Sequence, residues 1–449
     1  MIGGRVAVAA LAALVLLFLC GAAAGQVWTF TGTPPEASLV RDIAIAPTPT
    51  RTLYVAATNN LGIVSRTYGG IFRKVGSGAF ERVLRDSRLQ NLSVDPKDPS
   101  VVFAAAGALL ATFDGGATWG SDPFPPASVV LATSDALFAG SASGLYRRRV
   151  VTGPWEKADA PFSPARMAVD PRNPSTIYVA AQTDLDAPLR PGGVFRSTDG
   201  GAVFSRVGSP AIGNEADAVV IDPISSGNVY VAAGARVFRS VDGGDHWLER
   251  SAGLPGTPVL SLAIDPGRPW ILYAGTRGSG VFRTADAGAT WSPLNDGLPT
   301  SGLGARDIYA LAIDPASLTL YCGTDGFGVY ALETGTLAVG CLSNAATLCL
   351  GDGRFSVSVD FDSPFGRGSG RAIPLTVNTG AFWFLSENNV ELVLKILDGR
   401  SVNGRYWVFL GSLSDLEYTV TVTDFATGAS RSYSNPRGRL ASVADTEAF

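Results

Sequence analysis

The chain has 449 residues, enough for two domains of ordinary size. Hydrophobic residues make up 46% and charged residues 16%, which argues against a disordered chain. A net charge of −4 also speaks against the basic surface that a nucleic-acid partner requires.

Residues 1–25 read as a signal peptide. Arg5 supplies the positive n-region, Val6 to Leu19 the apolar run, and Ala22-Ala23-Ala24 a small-residue cleavage site. The run is short for a membrane span. An uncleaved N-terminal anchor is the alternative. A lipoprotein reading at Cys20 meets the objection that Leu19 is too large for its place. No later segment is long and apolar enough to cross a bilayer. The expected location is secreted, periplasmic or cell-surface.

A repeated phrase follows: an apolar triplet, Asp-Pro, then a strand ending in small residues. It occurs at Leu92 to Pro96, Met167 to Pro171, Val220 to Pro223, Leu262 to Pro266 and Leu311 to Pro315. Ile43 to Pro47 is a degenerate copy, and a unit near Val129 keeps only the following strand, Ala136 to Gly140. Seven units at this spacing fit propeller blades of four strands each. The seventh unit shows three strands, ending with Gly328 to Leu332, and no Trp-bearing fourth. Gln26-Val27-Trp28-Thr29-Phe30 resembles the missing strand, so the N-terminus is expected to close the ring.

Between third and fourth strands lies Ser/Thr-x-Asp-x-Gly-x-x-aromatic. Its copies run Thr112 to Trp119 (with Asp114), Ser197 to Phe204 (Asp199), Ser240 to Trp247 (Asp242) and Thr284 to Trp291 (Asp286). A carboxylate that caps turn N–H groups, a glycine at positive φ and a packing aromatic describe a structural hairpin. These motifs resemble the Asp-box, or BNR, propellers over about residues 26–338. That group includes sialidases, xyloglucanase-type glycosidases, sortilin-like receptors and a photosystem II assembly propeller. The resemblance implies a fold more than a function.

Function in propellers sits where inter-blade loops surround the central channel. Arg41, Asp42, Arg88, Arg166, Asp217, Arg306 and Asp307 precede first strands. The facing loops carry Asn59-Asn60, the insertion Thr183 to Gly193 with Asp184, Asp186 and Arg190, then Arg277 and Asp325. Such convergent charge suits an extracellular glycan or protein ligand. A merely solvated channel mouth is the alternative. A glycoside hydrolase needs two facing carboxylates, with Asp42, Asp217, Asp307 and Asp325 as candidates. Against that reading, the Phe-Arg-Ile-Pro motif of sialidases is absent, and there is room for one propeller where xyloglucanase-type enzymes use two. His246, the sole histidine, sits inside a box, which argues against a Ser-His-Asp triad or a His-rich zinc site. No cofactor or metal is expected, and the chain is read as a monomer.

From Cys341 the pattern changes to longer alternating strands, such as Phe355 to Phe361 and Tyr418 to Thr423, expected to form a β-sandwich. Its Trp and Phe residues read as core. Cys341 and Cys349 are close enough in sequence to pair, while the odd count of three cysteines left once the leader with Cys20 is cleaved keeps a pairing of Cys322 open. The segment resembles a module appended to exported proteins of Acidobacteria-like bacteria, through Gly353-Arg354-Phe355, Asn389 to Leu392, Leu397 to Arg400 and Ala441 to Thr446. The expected organisation is a leader over 1–25, an all-β seven-bladed propeller over 26–339 and a C-terminal sandwich over 340–449.

Overall fold

The computed structural model describes residues 26–34, 37, 39–58, 69–122, 127–141, 143–149, 153–183, 191–208, 210–302, 304–334, 341, 343–351, 354–376, 378–424 and 427–449. The expected leader, Asn59-Asn60, Asp184, Asp186 and Arg190 lie outside them. Among the described residues the fold is all-β apart from one turn of helix, Arg400–Asn403. None of these residues forms a helix long and apolar enough to cross a membrane.

Seven four-stranded antiparallel sheets follow one another among the described residues. The fifth is representative: Ala218–Ile221, Val229–Ala233, Arg236–Ser240 and Leu248–Glu249. The first strand of each sheet packs beside that of the next, and Leu39–Ala46 packs beside Ile308–Ile313. The sheets therefore close a ring, a seven-bladed β-propeller. Second strands such as Thr52–Thr58 and Thr319–Thr324 are buried along their whole length. Neighbouring sheets cover both their faces, so they read as unbroken apolar runs rather than alternating ones.

The last sheet takes its fourth strand from the other end of the chain. Thr29–Gly32 pairs antiparallel with Val329–Glu333. The Trp28 indole donates to the Leu294 carbonyl at 2.8 Å, as Trp291 donates to Arg250 at 2.8 Å and Trp247 to Val207 at 2.7 Å. Trp28 thus fills the box aromatic's place in a sheet that has no box.

Both repeated phrases are turns held by one carboxylate. In the Asp-Pro turns, Asp95, Asp170, Asp222, Asp265 and Asp314 each accept the N–H two residues on, at 2.7–3.0 Å. Pro between them presets φ for the turn. In the boxes the Ser or Thr hydroxyl donates to the Asp and accepts from the second glycine, as Thr112 does with Asp114 at 2.7 Å and Gly116 at 2.9 Å. Asp199, Asp242 and Asp286 repeat the hydroxyl contact. The paired glycines have φ of 70–100° in three boxes, and Ala287 takes the first position of the fourth at 57°.

Two five-stranded sheets over Thr347–Leu350 to Ser442–Asp445 face each other as a β-sandwich. Phe355, Val357 and Val359 on one sheet meet Phe382, Leu392 and Leu394 on the other in a core of their own. A disulfide joins Cys341 to Cys349, with Cα atoms 5.5 Å apart. Cys322 is a buried thiol, and burial pushes its pKa well above the usual value.

Candidate functional site at the channel mouth

The site begins with a repeated irregularity in the first strands. Pairing with the second strand slips between Val40 and Asp42, Pro164 and Arg166, Val259 and Ser261, and Ile308 and Ala310. One residue is bulged out at each slip: Arg41, Ala165, Leu260 and Tyr309. A bulge re-aims its side chain out of the pleat. All four residues border cavities at this edge of the ring.

The main cavity has a volume of about 420 Å³. Arg166, Asp217 and Arg277 line it together with Gln90, Gln182 and Tyr309. Asp217 is the only carboxylate among the described residues lining it. It accepts from the Gln182 side-chain amide at 2.6 Å and from the Gly234 N–H at 3.2 Å. Arg277 and the two glutamines are exposed. A smaller cleft of about 230 Å³ contains Arg41 and Arg88 and shares Gln90 with the main cavity. The Arg41 guanidinium lies 5.6 Å from the Tyr309 ring centre, and Arg88 is paired with Asp86 at 2.9 Å.

The remaining sequence candidates stand elsewhere. Asp42 lies inside the strand Leu39–Ala46 rather than before it, because that strand begins ahead of the bulge. Its carboxylate accepts from the Asn91 side chain at 2.6 Å and from the Leu92 N–H at 2.8 Å. Asn91 in turn accepts the Val130 N–H at 2.7 Å, so the chain of bonds ties the first three sheets together. Burial pushes the Asp42 carboxyl up, opposed first by the Arg166 charge and then by these hydrogen bonds. Arg306 donates to the Pro299 carbonyl, Asp325 is buried, and neither they nor Asp307 border the cavity.

Sequence reasoning missed Tyr309, Leu260, Gln90 and Gln182. The signal was positional: each stands near the entry of a first strand or the exit of a second, where Arg41 and Arg277 stand in other sheets. Also missed were the third-strand arginines that follow Phe or Tyr. Arg73, Arg147 and Arg196 each donate to a box-glycine carbonyl of the next sheet, at Gly115, Gly200 and Gly243, over 2.6–2.9 Å. They are inter-sheet ties on the opposite edge. His246 is also there, exposed, with its ring 2.6 Å from the Asp242 carboxylate, which raises its pKa.

Geometrically, the described residues of the mouth offer cationic, amide and hydroxyl groups around one carboxylate. A glycoside hydrolase needs two carboxyl groups about 5 to 9.5 Å apart across the bond to be cut. The described lining holds one.

No protein-family model matches the chain. A xyloglucanase of Hypocrea jecorina is 26% identical over 236 residues, which is 51% of this chain and 27% of that enzyme. The chain thus spans about a quarter of the relative's length. Among solved structures, the extracellular domain of a one-component system from B. thetaiotaomicron matches with a TM-score of 0.55 at 13% identity, covering 90% of this chain and 54% of that one. The GH74 xyloglucanase from Xanthomonas campestris matches with a TM-score of 0.51 at 16% identity, covering 93% and 75%. At these identities the likeness shows the fold: the chain is similar to β-propeller proteins.

Proposed function

We propose that this is an exported Asp-box propeller that holds a glycan at its channel mouth, with a C-terminal sandwich of the kind appended to exported bacterial proteins. One observation carries the reading. Among the described residues, the mouth cavity gathers Arg166, Arg277, Gln90, Gln182 and Tyr309 around a single carboxylate, Asp217, already engaged by two donors. Donors gathered around a hollow of this size suit sugar hydroxyls, whereas hydrolysis needs a second carboxyl. The xyloglucanase relative adds weight to a carbohydrate ligand.

That same relative favours a second reading, hydrolysis of an extracellular polysaccharide. Both are tested by screening the mature protein on a glycan array and assaying reducing ends released from xyloglucan. Saturable binding without new reducing ends, weakened by Arg166→Ala, is the expected result. Turnover lost in Asp217→Asn establishes the hydrolase instead. Silence on every glycan, with capture of an exported protein at the same residues, overturns the glycan ligand.

A further inference from the structure

A fold that uses one turn repeatedly makes its exceptions informative. The third sheet has no Asp-box. Its Arg147 pairs with Glu156 in the register by which Arg239 pairs with Leu248 in the fifth sheet. Arg148 therefore stands where the box Ser or Thr stands, and Trp155 where the box aromatic stands.

The replacement builds a different object. Arg148 is 5% exposed and paired with Asp122 of the second sheet at 2.6 Å. Its guanidinium lies 4.6 Å from the Trp155 ring centre, and its Nε has no acceptor among the described residues. The Trp155 indole donates to Asp122 at 3.3 Å, where Trp247 and Trp291 use a backbone carbonyl. Between Arg148, Gly153 and Trp155 of the third sheet and the box of the second opens a cleft of about 650 Å³, larger than the mouth cavity of about 420 Å³. Phe113, Trp119 and Trp155 line it beside Ser121, Asp122 and Arg148. Phe113 is 58% exposed although it is the largest side chain at this variable box position.

Aromatic rings beside a fixed ion pair match one ligand chemistry closely. A pyranose ring presents an apolar C–H face to an aromatic ring and hydroxyls around its rim to a carboxylate and a guanidinium. We propose that this cleft, between the box turn of the second sheet and the Arg148 and Trp155 side chains of the third, is a separate glycan site. Neutral hexopyranose units stack on Phe113 and Trp119, and their hydroxyls meet Asp122 and Arg148. The site lies at the opposite ends of the strands from the channel mouth, so the proposal does not rest on the mouth reading.

The test is calorimetric titration of the full mature chain with cellohexaose, mannohexaose and xyloglucan oligosaccharides, with tryptophan emission followed in parallel. At least one sugar is expected to bind saturably and shift the emission. Phe113→Ser is expected to weaken it about 10-fold, the loss of one stacking contact. That exposed variant should melt as the parent does. Trp155→Phe supplies a second, milder lesion, and Arg166→Ala/Arg277→Ala should leave this binding unchanged. Binding that survives both rim variants, or that only the mouth variant abolishes, overturns the proposal. So does the absence of sugar binding, or binding of a proline-rich peptide in its place.

Discussion

Asp222 follows the fifth sheet's first strand, is 1% exposed, and accepts the N–H groups of Ile224 and Ser225 and the Asn228 amide at 2.8–3.0 Å. Burial pushes its pKa from 3.8 up to about 6, against the pull of those donors and of Arg239. A carboxyl with a raised folded pKa favours the fold when protonated. Its contribution is present in full below pH 3.8 and is lost as pH rises through 6. At neutral pH the loss is about 3 kcal/mol. Urea unfolding at pH 4.5 and 7.5 should show wild type losing more stability than Asp222→Asn over that interval. Equal losses would sink the assignment. At this scale the sequence was legible wherever a residue bonds within its own turn. Thr112, Asp114 and Gly116 form a closed set inside eight residues, so their spacing spells out their geometry. The Arg196 contact with Gly243 was not legible, because its partner is 47 residues away and only the ring brings them together.

A strand's identity was easier to read than its irregularities. The period of the repeats and the missing fourth strand of the last unit pointed to Trp28, since a propeller sheet tolerates no open edge. The bulges at Arg41, Ala165, Leu260 and Tyr309 were hidden, because one extra residue leaves the apolar pattern on either side intact. That is why Asp42 was expected at the mouth and stands instead between sheets, while Tyr309 was overlooked. Trp28 is 2% exposed, and its indole bond reaches the preceding sheet. Trp28→Ala should cost about 3–5 kcal/mol, in the range for large buried aromatics. Chemical denaturation should show the lower midpoint, and limited proteolysis should cut the variant's N-terminal strand first. A wild-type midpoint would mean that the strand is dispensable.

Across the whole molecule, the sandwich core of Phe355, Phe382 and Val420 is a cluster of its own, while Cys341 and Cys349 belong to the cluster of Trp270 and Trp291. Calorimetry is therefore expected to resolve two transitions. Reducing Cys341–Cys349, which closes a loop with a sequence separation of 8, should lower one of them by about 2.5 kcal/mol on the chain-entropy estimate. A single transition insensitive to reductant would refute this division. The function was the least legible level, because a shared scaffold constrains turns and cores and leaves cavities to individual side chains. The pairing of Thr29–Gly32 with Val329–Glu333 also bears on how the molecule assembles. Thr29 meets Ala331 across a separation of 302 residues. Closing such a loop costs about 5 kcal/mol of chain entropy, against about 2 for a dozen-residue hairpin. The N-terminal strand of the ring thus waits for a partner made some 300 residues later, and until then both edges of the unfinished ring stay sticky. Mutations that slow this final latch should raise aggregation during folding more than they lower the stability of the finished protein.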